Sequence, residues 1–263
     1  MGLLIGSGIV VANLGLSSSA GILAYDNAVT FANITSTNAL ASSPITNVSN
    51  PATAYAWEAS DTSTQTITIT PQTGRTIDYV GIARHNLNQP GLTVQIKFNG
   101  AIVLPAQAVS DLQALLFITA EASPTTIEIV ISGATEAPKI AVIYAGTALI
   151  MERDIYVGHT PMPYGRDRMA VNGMSENGQY LGEIVVSESN STQVDLQNLT
   201  PLWYRNFLDP FFALKPRKPC FWAWRQDTYP DEVGYAWVEG NPRPSNQRSN
   251  GMMSMNWTFR GIA

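Results

Sequence analysis

Apolar and polar residues alternate with a period of two along the first part of the chain. Thr66-Ile67-Thr68-Ile69-Thr70 alternates strictly, and so does Leu92-Thr93-Val94-Gln95-Ile96-Lys97-Phe98. This period puts alternate side chains on opposite faces of a strand, one face buried and one solvated. Pro71-Gln72-Thr73-Gly74 supplies a turn after the first run. Asn99-Gly100 closes the second as a hairpin, with Ala101-Ile102-Val103-Leu104 returning. Residues 77–83, 115–118, 126–131 and 139–145 read as further strands, with a short helical turn at 109–115. Strands at this spacing, with turn signals between them, predict a jelly-roll or β-sandwich domain over residues 1–150.

The pattern changes after Met151. Residues 152–180 are rich in Gly, Pro, Met and charge, and read as a long extended arm. A structureless stretch of that length is unusual in a compact domain unless it has a task. Strands are expected at 182–187, 192–196, 221–225, 234–239 and 252–260. One helix is expected at 201–208, with Thr200 as its N-cap, Pro201 in its first turn and Pro210 helping to end it. Leu202, Trp203 and Phe207 form its apolar stripe. The second part, 151–263, is therefore expected to be another β-sandwich with one helix and an arm, and the chain as a whole all-β. Five of the six tryptophans follow residue 200. Either they build a second core, or some of them face a neighbouring subunit.

Composition narrows the function. Charged residues are 13% of the chain, about half the usual ~25%. The net charge of −5 argues against nucleic acid as a partner, because phosphates need a basic face. It argues equally against a polybasic membrane anchor, and no apolar run is long enough for insertion into a membrane. The apolar N-terminus lacks a basic flank and is not read as a signal peptide. Cys220 is the single cysteine; it allows no internal disulfide and, between Pro219 and Phe221, is expected to be a buried small apolar residue.

Catalytic and metal-binding patterns are missing. The two histidines, His85 and His159, show no ligand spacing with Cys220 or with each other. There is no Gly-x-Ser-x-Gly and no phosphate loop. The carboxylate pairs Glu58/Asp61 and Asp231/Glu232 read as ordinary loop carboxylates. No catalytic residue, metal or cofactor is expected. The most distinctive cluster is Trp57 within 50–59, together with Arg84, His85 and Asn86 at the end of a predicted strand. An aromatic face with planar polar groups beside it can bind a sugar. The same residues can instead plug the core and tie loops together.

The run Ser49-Asn50-Pro51-Ala52-Thr53-Ala54-Tyr55-Ala56-Trp57-Glu58-Ala59, with Gln65–Ile69 and Ile77-Asp78-Tyr79-Val80-Gly81-Ile82-Ala83-Arg84-His85-Asn86-Leu87, resembles a segment of tailed-bacteriophage structural proteins. It is similar to the discoidin or galactose-binding jelly roll over about residues 45–145. The order of elements after residue 151 resembles the ring-forming domain of phage tail proteins. That resemblance implies a minor or distal tail protein, synthesised in the host bacterial cytoplasm and located in the virion tail. It implies a homo-oligomeric ring, commonly a hexamer, linking the tail tube to the tip or baseplate hub. Host-surface glycans are the alternative partner. The calcium ligands of some galactose-binding modules find no counterpart here.

Overall fold

In the computed structural model, which describes residues 3–5, 20–109, 113–156, 158–226, 228–247 and 249–262, the alternating runs become paired strands. In chain order the first twelve are β1 (Leu3–Ile5), β2 (Ile22–Ala24), β3 (Ile34–Ser36), β4 (Trp57–Glu58), β5 (Gln65–Ile69), β6 (Ile77–His85), β7 (Thr93–Phe98), β8 (Ala101–Gln107), β9 (Ala114–Ala122), β10 (Ile127–Ser132), β11 (Lys139–Gly146) and β12 (Leu149–Ile150). The rest are β13 (Arg166–Met174), β14 (Tyr180–Leu199), β15 (Cys220–Ala223), β16 (Val233–Glu239), β17 (Ser245–Asn246) and β18 (Met253–Ile262). One helix follows β14.

The strands form three stacked sheets. The outer sheet has the order β3-β5-β10-β7-β8 and the middle one β1-β9-β6-β11-β4. The third runs β12-β2-β15-β16-β18-β14-β13, with β17 on β18. Outer-sheet strands β5, β7 and β10 keep strict alternation of buried and half-buried residues, as a one-sided sheet requires. Their inward residues Ile67, Ile96 and Ile129 meet Val80, Ile82 and Ile143 of the middle sheet. The middle sheet is covered on both faces. Its other face, with Tyr79, Ala83 and Tyr144, meets Phe221, Val233 and Tyr235 of the third sheet. Phe221 packs where Gly81 leaves room; a Cβ there would sit 2.5 Å from the ring. Beyond the third sheet, Trp222, Trp257 and Phe259 pack under Tyr204, Leu208 and Phe211 of the helix.

The third sheet draws strands from both sides of residue 150. β2 pairs with β15, and β12 pairs with β2. The stretch expected to form the first sandwich thus also supplies two strands to the second. Two of the chain's crossings, out of the third sheet at 25–28 and into it at 146–148, are tied together by Asp26. It forms an ion pair with Arg75, its carbonyl accepts the Tyr79 hydroxyl, and its Oδ2 accepts the Thr147 N–H at 3.1 Å. Gly146 is required by this approach, since a Cβ there would lie 2.2 Å from the Asp26 carbonyl oxygen. Beside it, Asp78 accepts the Ala148 N–H at 2.8 Å. Burial, with smaller contributions from Glu121 and Asp26, pushes the Asp78 carboxyl up to about 7.

Four expectations need correction. The arm at 152–180 is not structureless: it contains a short 3-10 turn, Met162–Tyr164, and the strand β13, paired with β14. The strands expected at 182–187 and 192–196 are one continuous strand, β14, whose first half pairs with β13 and, among the described residues, with no other strand. The helical turn expected at 109–115 falls partly outside the described residues, and from Ala114 onward the chain is strand. The helix begins as expected, with Thr200 Oγ1 accepting the Trp203 N–H at 3.4 Å. It does not stop at Pro210, however, but runs through Pro201–Trp203, Tyr204–Leu208 and Asp209–Ala213. A proline normally clashes with the carbonyl four residues back. Here the preceding turn widens, and the Asp209 N–H reaches the Tyr204 carbonyl five residues back, so Pro210 is accommodated.

Candidate functional site

The residues singled out from the sequence do not form an exposed ligand site. Trp57 is fully buried in the core between the outer and middle sheets, and its indole N–H donates to the Asn38 carbonyl at 3.1 Å. A ring enclosed in this way has no face to offer a sugar. His85 is buried, and its Nδ1 accepts the Leu87 N–H at 3.1 Å. Asn86 clamps two loops: its Nδ2 donates to the Ala137 carbonyl at 3.0 Å, and its Oδ1 accepts the Lys139 N–H at 2.7 Å. Arg84 is exposed, with a left-handed backbone (φ 50°) set by its N–H bond to Gln113 O. The four residues brace the end of the middle sheet. Of the carboxylate pairs, Glu58 is ion-paired with Lys139 at 2.8 Å. Asp61 accepts bonds from Ser63 and Asn38, which hold its carboxyl below the usual range. Glu232 accepts the Trp224 indole N–H.

A concave site lies elsewhere, where the loop at 51–54 overhangs the third sheet. The cleft measures about 320 Å³ and is lined by Pro51, Thr53, Pro219, Tyr235, Trp237 and Ile262. The strand period builds it. Tyr235 and Trp237 are two apart on β16 and share its face. Tyr235 packs on the middle sheet and is buried, whereas Trp237 is 46% exposed. The Tyr235 hydroxyl donates to the Pro51 carbonyl at 2.8 Å and so pins the overhanging loop. Burial, with Tyr144 adjacent, keeps that phenol protonated far above its ordinary range, so it remains a donor.

The floor of the cleft continues as a polar platform. Arg260 of β18 lies opposite Trp237, and Ser191 of β14 lies opposite Arg260, so all three share one face. The Arg260 guanidinium is held between two carboxylates, Glu239 at 2.7 Å and Asp167 at 3.3 Å. Three planar groups are thus fixed beside a half-open indole, with one positive and two negative charges. Such a platform suits a neutral hydroxylated ligand better than an anion. The late tryptophans divide between the two roles open to them: Trp222 and Trp257 are core, whereas Trp237 is presented at the surface. Among the described residues no three His, Cys, Asp or Glu side chains converge as metal ligands.

No protein-family model matches the sequence, and no curated protein matches it either. Partial likenesses to solved structures exist. SpGH29 aligns at 13% identity over 47% of this chain and 28% of its own, with a TM-score of 0.40. A chitosan-binding module from a chitosanase/glucanase of Paenibacillus sp. IK-5 aligns at 9% identity over 46% of this chain and 99% of its own, with a TM-score of 0.40. The family 32 carbohydrate-binding module of Clostridium perfringens NanJ, in complex with galactose, aligns at 12% identity over 47% and 98%, with a TM-score of 0.38. This chain thus spans about a quarter of SpGH29 and nearly all of each module. Likenesses this divergent and partial say nothing about a ligand.

Proposed function

We propose that this chain is a non-enzymatic binding protein that takes a carbohydrate in the cleft at Trp237. One observation carries the reading: a half-exposed indole at the mouth of an apolar cleft, beside the ion-paired Arg260–Glu239–Asp167 group. A pyranose ring has an apolar C–H face that stacks on an indole and equatorial hydroxyls that bond to planar side chains. The two carboxylates are already turned to Arg260 and keep lone pairs for hydroxyl donors. The test is a glycan array followed by calorimetry on the full chain. Trp237→Ala should lower affinity at least tenfold and leave the melting temperature unchanged, because the ring is half in solvent. Wild-type protein that binds no glycan, or a Trp237→Ala variant that binds like wild type, would remove the reading.

A second reading is favoured by the half of β14 that, with β13, extends beyond β18. There the chain is a structural component of a phage virion tail, a ring-forming distal or minor tail protein between tube and tip or baseplate. A projecting two-stranded ribbon rich in apolar residues supports assembly with itself or with other tail proteins. The two readings are compatible, since a tail component can also bind a host-surface glycan.

A further inference from the structure

Among the described residues, two exposed apolar surfaces lie apart from the Trp237 cleft on the third sheet and its helix. The first is the ribbon. β14 meets β18 only from Asn190 onward, so residues 180–189 and β13 project beyond the third sheet. Val171 lies opposite Ile184, and a β-bulge at Val186 interrupts the alternation beyond them. Leu181 and Ile184 are 68% and 72% exposed. An isolated two-stranded ribbon is marginal in water, and soluble monomers seldom leave a continuous apolar surface uncovered. The second surface is the outer side of the helix. Leu202 is 70% exposed and Phe207 50%, with the Trp203 ring packed on Phe207 at 6.2 Å and Leu214 also exposed.

Their charges are opposite. The ribbon, residues 166–189, carries Asp167, Glu176, Glu183 and Glu188 against Arg166 and Arg168, and the two arginines sit at its base, leaving only Glu176 and Glu183 from 169 to 187. The helix and the turn after it, 201–218, carry Arg205, Lys215, Arg217 and Lys218 against Asp209 alone. A single chain cannot join the two surfaces. The helix lies over the far half of β14, where Phe212 packs on Trp257 at 5.4 Å and Trp257 pairs with Val194. Val194 is ten residues along the strand from Ile184, a separation of about 33 Å.

We infer that the ribbon of one copy docks on the helix face of a second copy, head to tail. The pairing is heterologous: every copy offers one surface and receives the other, so copies add until they close a ring or extend a filament. Val171 and Ile184 cover Leu202 and Phe207, and Glu183 approaches the basic side of the helix. The inference rests on the assembly reading above and is independent of the Trp237 cleft.

The test uses the full chain and two variants, Ile184→Glu and Phe207→Glu, both at exposed positions and both checked for an unchanged melting temperature. Mass is read by light scattering over a wide concentration range. Wild type should assemble beyond a dimer, and each variant alone should be monomeric. An equimolar mixture of the variants should form a dimer and nothing larger, because one supplies an intact ribbon and the other an intact helix face. If both variants assemble like wild type, the head-to-tail pairing is wrong and another face carries assembly. If the variants are monomeric and their mixture stays monomeric, the pairing is also wrong. A wild type that is monomeric at every concentration would sink both this inference and self-assembly.

Discussion

Replacing Trp57 by Ala separates a core indole from a sugar-binding one. The ring is 0% exposed, lies among Ile67, Ile140 and Val48 in the core between the outer and middle sheets, and bonds to the Asn38 carbonyl. Truncating a buried Trp to Ala costs about 3–5 kcal/mol through lost transfer energy and the cavity left behind. Loss of the indole N–H bond is part of that figure, about 1 kcal/mol. For a chain of this size each kcal/mol lowers Tm by roughly 2–4 °C, so a loss of about 4 kcal/mol lowers it by roughly 8–16 °C. Trp57→Phe keeps most of the volume and should lose only about 1–2 kcal/mol. Calorimetric or circular-dichroism melts give these numbers, and glycan binding by the folded variants is measured beside them. The reasoning fails if Trp57→Ala melts within about 1 kcal/mol of wild type. It also fails if Trp57→Phe keeps its stability but loses glycan affinity.

Two further changes act where the chain crosses between the layers. Asp78 has its carboxyl raised from an ordinary 3.8 to about 7 by burial first. A folded-state value above the unfolded one favours folding below about pH 4, and this contribution is lost as pH rises through about 7. Asp78→Asn keeps an acceptor for the Ala148 N–H and removes the buried charge. It should match wild type near pH 4, exceed it at pH 8 by on the order of 2 kcal/mol, and flatten denaturant-derived stability between the two. A variant less stable than wild type at pH 8 would show that the carboxylate is needed there. Gly146→Ala drives a Cβ against the Asp26 carbonyl oxygen and should destabilise by about 1–3 kcal/mol. Urea titration reads this, and an unchanged midpoint would mean the crossing can relax.

The sequence by itself determined the strands whose period is enforced by a one-sided core. Thr66–Thr70 and Leu92–Phe98 were legible because each turns one face to isoleucines of the facing sheet and the other to water. The Asn99-Gly100 hairpin was legible because a two-residue turn demands those residues. The Thr200 cap needed no tertiary partner either. Short strands such as β2, β4 and β12 carry too few residues to show a period and exist only because a neighbouring edge pairs with them. The ribbon had a local signal, Asn177-Gly178, at its turn, where the Gly178 N–H bonds to the Ser175 carbonyl. The flanks of that turn are apolar on both faces, so they show no one-sided alternation and read as an arm. The site was hidden for a different reason. Trp57 and Trp237 both sit on strands amid apolar neighbours, and nothing local says which is covered. The stacking of the sheets decides it: the outer and middle sheets enclose Trp57, whereas Trp237 stands in the lining of an open cleft and keeps its indole half in solvent.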